Sequence, residues 1–485
     1  MRLLLLTFAW SEIGKKQKRH NDRWRCKKGL PILPIDTGRY GTPEMRRIFE
    51  EENRLQKLLD VEAALAWAHG EVGDIGRKDA KKIMQMASTK YVKLSQVIAI
   101  EKEIKHDVAA LARTLAGVCG PSGACVHLGA TSSDILDTAT ALQLKEAVTI
   151  IERRLSGFEG VLLEKAEKYK RTVIMGRTHG QHALPTTLGF KFSVWIRENA
   201  RHIQRLRECK ERLLVGKMSG AVGTQAGLGL NAMKIQELVM KRLNIKPADI
   251  STQIIQRDRY AELVALLALI ASSLENFATE IRELQRPEIG ELYEPFDKVK
   301  QVGSSTMPHK RNPIICEKVC GLAKIVRGLV VPALENVQTW HERDLTQSSA
   351  ERFVLPEACI LVDYMLALMT DIVSKLVVDE KRMKENIGLT QGRCMSEAVM
   401  MALTEKGMSR QEAHEHLRLL AIKSETEKQP FRTVLSEDKT VRKLLNKKEL
   451  NRTLNPRNYL GTAAKQVERI INKTKKERKA RGLAA

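Results

Sequence analysis

Two proline-free stretches of this 485-residue chain carry apolar residues on a seven-residue rhythm. Leu144, Val148, Ile151, Leu155, Phe158 and Leu162 follow one another at steps of four and three. Leu263, Leu267, Ile270, Leu274, Phe277, Ile281 and Leu284 do the same. Such a rhythm belongs to long helices packed side by side at shallow angles, in a bundle or an oligomer core. Residues 328–376 continue in similar style. Aromatics make up only 4% of the chain, and aliphatic residues are plentiful, which favours helix on helix over a β-sandwich. The expected fold class is all-α, with three helical domains, the central one a long-helix bundle. The expected boundaries are a basic extension over 1–32, an N-terminal helical domain over 33–131, the bundle over 132–380, and a C-terminal helical domain with a basic tail over 381–485.

The net charge of +24 raises the question of nucleic acid, so its location matters. Residues 1–30 hold nine Lys/Arg and two acids, and residues 465–485 hold eight and two, so the two ends carry more than half of the excess. That pattern reads as solvated tails with at most weak polyanion binding, since no zinc finger or aromatic RNA-binding signature accompanies it. Residues 1–30 place their basic groups after a short apolar run, the reverse of a secretory signal, and are expected to be a disordered extension or the result of a start codon set too early. No apolar run approaches the ~20 residues that span a bilayer. The eight cysteines stand singly, without the spacing of a zinc knuckle or redox pair, as expected of reduced, mostly buried thiols in a cytoplasmic protein.

Several polar clusters punctuate the helical patterns. Arg39 and Tyr40 lie between Gly38 and Gly41, in a turn suited to gripping a phosphate, before a helix that Thr42 and Pro43 should start. Lys105, His106 and Asp107 fall within a helix expected over 93–118, whose buried stripe is Ile104, Val108, Leu111 and Leu115. His127 precedes Thr131, Ser132 and Asp134, a hydroxyl-rich start for the next helix. His179 and His182 lie in GRTHGQHALPTTLG (176–189), expected to be a loop. The glycine-rich GKMSGAVGTQAGLG (216–229) is no Walker loop, because Met218 follows Lys217; it reads as tight turns or a short hairpin.

The most concentrated cluster is GSSTMPHKRNP, residues 303–313. It holds Ser304, Ser305, His309, Lys310 and Arg311, and ends at Asn312-Pro313, where a helix should begin with Asn312 as its cap. Loop amides, two cations and a positive helix end together favour an anion, and the same field lowers the pKa of a serine hydroxyl.

Taken together and in order, RY, KHD, TSSD, GRTHGQHA, TQIIQRD, GSSTMPHKRNP and WHERDLTQSSAER resemble the adenylosuccinate lyases of the aspartase/fumarase superfamily. The resemblance covers nearly everything from residue 33 onward. The signature loop also fits other lyases and carboxymuconate-type cycloisomerases of the superfamily, while Arg39-Tyr40 combined with Ser348–Arg352 is the more specific evidence. The resemblance implies β-elimination of fumarate from a succinylated purine nucleotide, with no cofactor and no metal. It makes Ser304 the base, His179 the acid and Glu317 the residue that orients His179. Thr131, Ser132, Lys310 and Asn312 would meet the succinyl carboxylates. Arg39, Tyr40, Arg343, Ser348 and Arg352 would hold phosphate and ribose, and Lys105, His106, Asp107, His127, Gln253, Ser305 and Lys318 would complete the substrate pocket. Lys318 departs from the Asn common in bacterial relatives. The resemblance further implies a homotetramer whose sites are shared between subunits, a nucleotide as the small-molecule partner, and neither membrane nor specific nucleic acid. The rivals are another superfamily lyase, a cycloisomerase, or a non-enzymatic binding protein on the same scaffold.

Overall fold

The computed structural model describes residues 32–297 and 299–484. The expectations for residues 1–30 lie outside this range. The chain falls into two compact units divided between Gly41 and Thr42. In the first, Gly38 and Gly41 adopt positive φ (75° and 101°), and Tyr40 N–H donates to Pro34 O at 3.2 Å, so Arg39 and Tyr40 sit in a tight turn.

The second unit is overwhelmingly helical. The elements that position the polar motifs are α1 (Leu94–Ile104), α2 (Asp107–Cys119), α3 (Ser132–Lys168), the strands β1 (Val173–Thr178) and β2 (Gln181–Thr187), α4 (Leu188–Leu213), α5 (Asp258–Gln285), α6 (Ile314–Gly328), α7 (Thr346–Ser374) and α8 (Ala463–Ala480). The seven-residue rhythm is the core. All six rhythm residues of α3 are wholly buried, and none of the seven on α5 exceeds 3% exposure. Phe158 meets Phe277 at 6.3 Å between ring centroids, and Trp195 of α4 stacks on Phe277 at 4.6 Å, which ties the three helices together. A separate apolar cluster runs from Leu55 to Met240, and another from Val399 to Leu450.

Four expectations need correction. The helix expected over 93–118 is broken: Lys105 takes a left-handed conformation (φ 55°) that ends α1, and His106 caps α2 by accepting from Ala109 N–H. The stripe Val108, Leu111, Leu115 still faces the core, so periodicity survived a break it could not report. The 176–189 stretch is a β-hairpin rather than a loop. Residues 463–480 are no solvated tail. Arg478 donates to Ser156 O at 2.7 Å, and both Arg478 and Arg481 reach Glu159, a carboxylate wholly buried on α3. Finally, α5 and α7 each contain a window long and apolar enough to cross a membrane, although no such run stands out in the sequence; in each, 61% of that window is buried within the protein.

Candidate active site

The motif residues gather at two opposite ends of the bundle. At one end, α3, α5 and α7 all begin. His106 Nε2 stands 3.5 Å from Ser132 Oγ, and Arg352 donates to Asp107 at 3.2 Å. Arg343 donates to Gln253 Oε1 at 3.1 Å. Beneath them Arg257 is buried between Asp137 (2.8 Å) and Glu351 (2.7 Å), which fixes the start of α5 against α3 and α7. Burial raises the pKa of Glu351, against the opposing charge of Arg257. A cleft of about 140 Å³ opens here, lined by Arg343, Ser348 and Arg352 among others. Ligand pockets usually measure roughly 300–1,000 Å³, so this cleft is small by that measure. A larger cleft, about 1060 Å³, is lined by Glu44, Arg47, Lys57, Lys145 and Arg153 and by no motif residue.

Asp134 organises the same end. It is wholly buried and takes hydrogen bonds from the amides of Thr131 (2.8 Å), Ser219 (2.8 Å) and Gly220 (3.1 Å), and from the ammonium of Lys217, also wholly buried. The glycine-rich 216–229 stretch therefore serves to clamp the Thr131–Ser132 turn. His127 precedes that turn with φ 61°, its Nδ1 2.7 Å from the buried carboxylate of Glu62.

At the other end, α3 gives way to the hairpin. Its two-residue tip is His179 (φ 53°) and Gly180 (φ 73°), between the paired residues Thr178 and Gln181. Positive φ at both central residues is the type I′ turn that matches strand twist. Just behind the tip, Arg177 pins the first strand by two 2.8 Å bonds to the wholly buried Glu291. His179 is thus presented, exposed, on a rigid two-stranded arm.

The signature loop lies at this end too, because Gln285, the last residue of α5, donates to Arg311 O at 3.1 Å. The loop is closed at its neck. A Cβ on Gly303 would stand 2.1 Å from Lys310 O, and Asn312 donates to Gly303 O at 3.1 Å. Ser304 Oγ accepts from the amides of Met307 (3.1 Å) and Thr306 (3.4 Å), donors that favour its ionised form. Ser305 and Lys310 are exposed.

The expected cap is corrected here. α6 begins at Ile314 with Pro313 as N-cap, and Asn312 is spent on the loop neck. The helix end is capped instead by Glu294, a buried carboxylate that accepts from Ile315 N–H at 2.8 Å. Burial drives Glu294 up to about 7, and the charge of Glu317 pushes the same way while the amides of Ile315 and Cys316 oppose it. Glu317 is exposed and Lys318 half-buried on the first turns of α6. Within one copy, no hydrogen bond joins Glu317 to His179 among the described residues.

The two ends are far apart. α3 has 37 residues and α5 has 28, which at 1.5 Å per residue are about 55 and 42 Å long. One chain therefore cannot bring Ser304 or His179 to Ser132, His106 or Arg352.

A family model described as Lyase matches residues 38–328, and one described as Adenylosuccinate lyase C-terminus matches residues 392–470. The chain is 52% identical over 454 residues to the adenylosuccinate lyase of Pyrococcus abyssi, covering 94% of this chain and 100% of that one. It is 49% identical over 451 residues to that of Methanocaldococcus jannaschii, covering 93% of this chain and 97% of that one. The chain belongs to the adenylosuccinate lyase family. Solved structures similar to this adenylosuccinate lyase family member include a fumarate lyase from Mesorhizobium (TM-score 0.84, 32% identity, 91% of this chain and 100% of that one). Another is a 3-carboxy-cis,cis-muconate lactonizing enzyme from Pseudomonas putida (TM-score 0.84, 34% identity, 92% of this chain and 99% of that one).

Sequence reasoning missed Glu62, Arg257, Glu294 and the clamp between Asp134 and Lys217. TSSD, TQIIQRD and the glycine-rich stretch contained three of these participants. Glu62 lies in an ordinary-looking helical pattern, and no sequence signal marks it.

Proposed function

We propose that this chain is a homotetrameric cytoplasmic lyase that removes fumarate from N6-(1,2-dicarboxyethyl)-AMP, leaving AMP, and from the related succinylated imidazole-carboxamide ribotide. Ser304 Oγ takes the proton from the carbon beside a carboxylate. The electron pair forms the new double bond, the C–N bond breaks, and His179 gives a proton to the departing nitrogen. The amides of Thr306 and Met307 and the cation of Lys310 supply the field a serine base requires. Lys310, Asn312, Thr131 and Ser132 hold the carboxylates as negative charge builds. Arg39, Tyr40, Arg343, Ser348 and Arg352 hold the nucleotide, with Lys105, His106, Asp107, His127, Gln253, Ser305 and Lys318 around it. Glu317 of another copy orients His179. The three helical domains (33–131, 132–380, 381–485) divide this work.

The observation that carries the reading is the 52% identity to an adenylosuccinate lyase over nearly the whole chain, against 34% for the muconate lactonizing enzyme. Two features support assembly. The candidate residues stand at opposite ends of the bundle, as above. Six large apolar residues of the 331–353 stretch, Val331, Leu334, Val337, Trp340, Leu345 and Phe353, are exposed, with Trp340 at 74%. Clustered exposed apolar side chains are what protein–protein contacts use. The test is turnover by absorbance on both nucleotides, with argininosuccinate and a carboxymuconate as comparators. The reading expects conversion of the two nucleotides; turnover of a comparator instead would reverse it.

A further inference from the structure

Glu62 belongs to none of the motifs, yet it is a buried carboxylate in contact with one of their residues. It sits on the Glu51–Val72 helix among Leu58, Leu59, Val61 and Leu65, and is 1% exposed. Its Oε1 lies 2.7 Å from Nδ1 of His127, and its Oε2 has no hydrogen-bond partner. A buried carboxylate with one unsatisfied oxygen depends on a nearby positive charge. The imidazole of His127 is the group in place to supply it. With Nδ1–H turned inward to the carboxylate, Nε2 is the outward nitrogen, and it makes no hydrogen bond among the described residues. The backbone reinforces this aim, since His127 is held at φ 61°, a conformation non-glycine residues seldom adopt.

We infer that Glu62 is a positioning residue: it fixes the His127 ring and serves as counter-charge to an imidazolium whose Nε2–H is offered to an oxyanion of the substrate. This rests on the reading that the turn from His127 to Ser132 faces substrate. The surrounding charges agree. Burial disfavours protonation of His127, but the hydrogen bond and charge of Glu62 outweigh it, with Asp134 of α3 adding to them, so its pKa is raised. The ammonium of Lys217 faces Asp134 and partly offsets that second carboxylate. The role is indirect, because the carboxylate is walled off from solvent and acts only through the ring.

The test uses Glu62→Gln, which keeps the shape and the hydrogen-bond acceptor but removes the charge, alongside Glu62→Asp and His127→Gln. Activity that needs the imidazolium is lost as pH rises through the pKa of His127. In Glu62→Gln this alkaline limb of kcat/KM should move to lower pH by about one unit, a tenfold change in proton affinity. The ring signals of His127 followed by NMR should titrate with the same displacement, and Glu62→Asp should restore part of it. An unchanged His127 titration in Glu62→Gln would overturn the proposal, whatever happens to turnover. If Glu62→Gln does not fold, Glu62→Asp decides on the same titration, which must move if the carboxylate sets it. Full activity in His127→Gln would instead remove His127 from the site, and absence of nucleotide turnover in the unaltered enzyme would fail the functional reading itself.

Discussion

His127, His179 and Lys105 share one unusual trait: each takes positive φ, among only eight non-glycine residues that do so in the described chain. Such conformations are costly by about 1–3 kcal/mol each and persist where the surroundings enforce them, commonly at functional sites. The imidazoles and the ammonium are thus set by turns rather than by helix faces. Ser304 is set differently, by two amides of its own loop. Ser304→Ala should lower kcat by at least about 10³-fold, within the range for loss of a general base, while calorimetry still finds substrate bound. His179→Gln should behave likewise and keep its oligomeric state. Arg352→Ala should act mainly on KM, because it removes a contact made equally to substrate and transition state. The sequence made these residues legible because each stands in a compact polar motif. It hid Glu62 and Glu294 because their partners lie 65 and 21 residues away, and only the fold brings them together.

Elements were readable where periodicity rules and obscure where single backbone angles rule. α3 and α5 follow from their apolar rhythm, whereas the break at Lys105 and the hairpin at His179-Gly180 depend on left-handed residues that lack the usual Asn-Gly signal. The cap of α6 departs from the residue-type expectation because Asn312, a good cap by type, is used to close the loop neck. Two stability measurements probe these elements. Glu294 is raised from its ordinary 4.5 to about 7, so the proton it holds stabilises the fold fully below pH 4.5 and less as pH rises toward 7. Denaturation midpoints should therefore fall across that window, and Glu294→Gln should flatten that part of the slope. The second concerns α8. Replacing Arg478 and Arg481 together by Ala leaves Glu159 without either guanidinium, and should cost about 3–5 kcal/mol as loss of a buried ion-pair partner. The midpoint in urea would show it, and an unchanged midpoint would return the segment to the status of a tail.

At the scale of the molecule, the proposed chemistry needs the two ends of the bundle to meet. One end offers His106, His127, Ser132, Arg343 and Arg352, and the other offers His179, Ser304 and Lys310, about 40 Å or more away along helices too long to fold back. Antiparallel copies of the bundle, joined over the exposed apolar residues around Trp340, would bring them together. Elimination at such a composite site is tested most directly by mixing two inactive variants. Ser304→Ala spoils one end and His127→Gln the other, so hybrid assemblies rebuild some sites from two sound ends. After dissociation and reassembly together, the account expects fumarate release from adenylosuccinate to recover to about a quarter of the unaltered level by random assortment. A mixture that forms hybrids yet stays as inactive as either variant alone would contradict it.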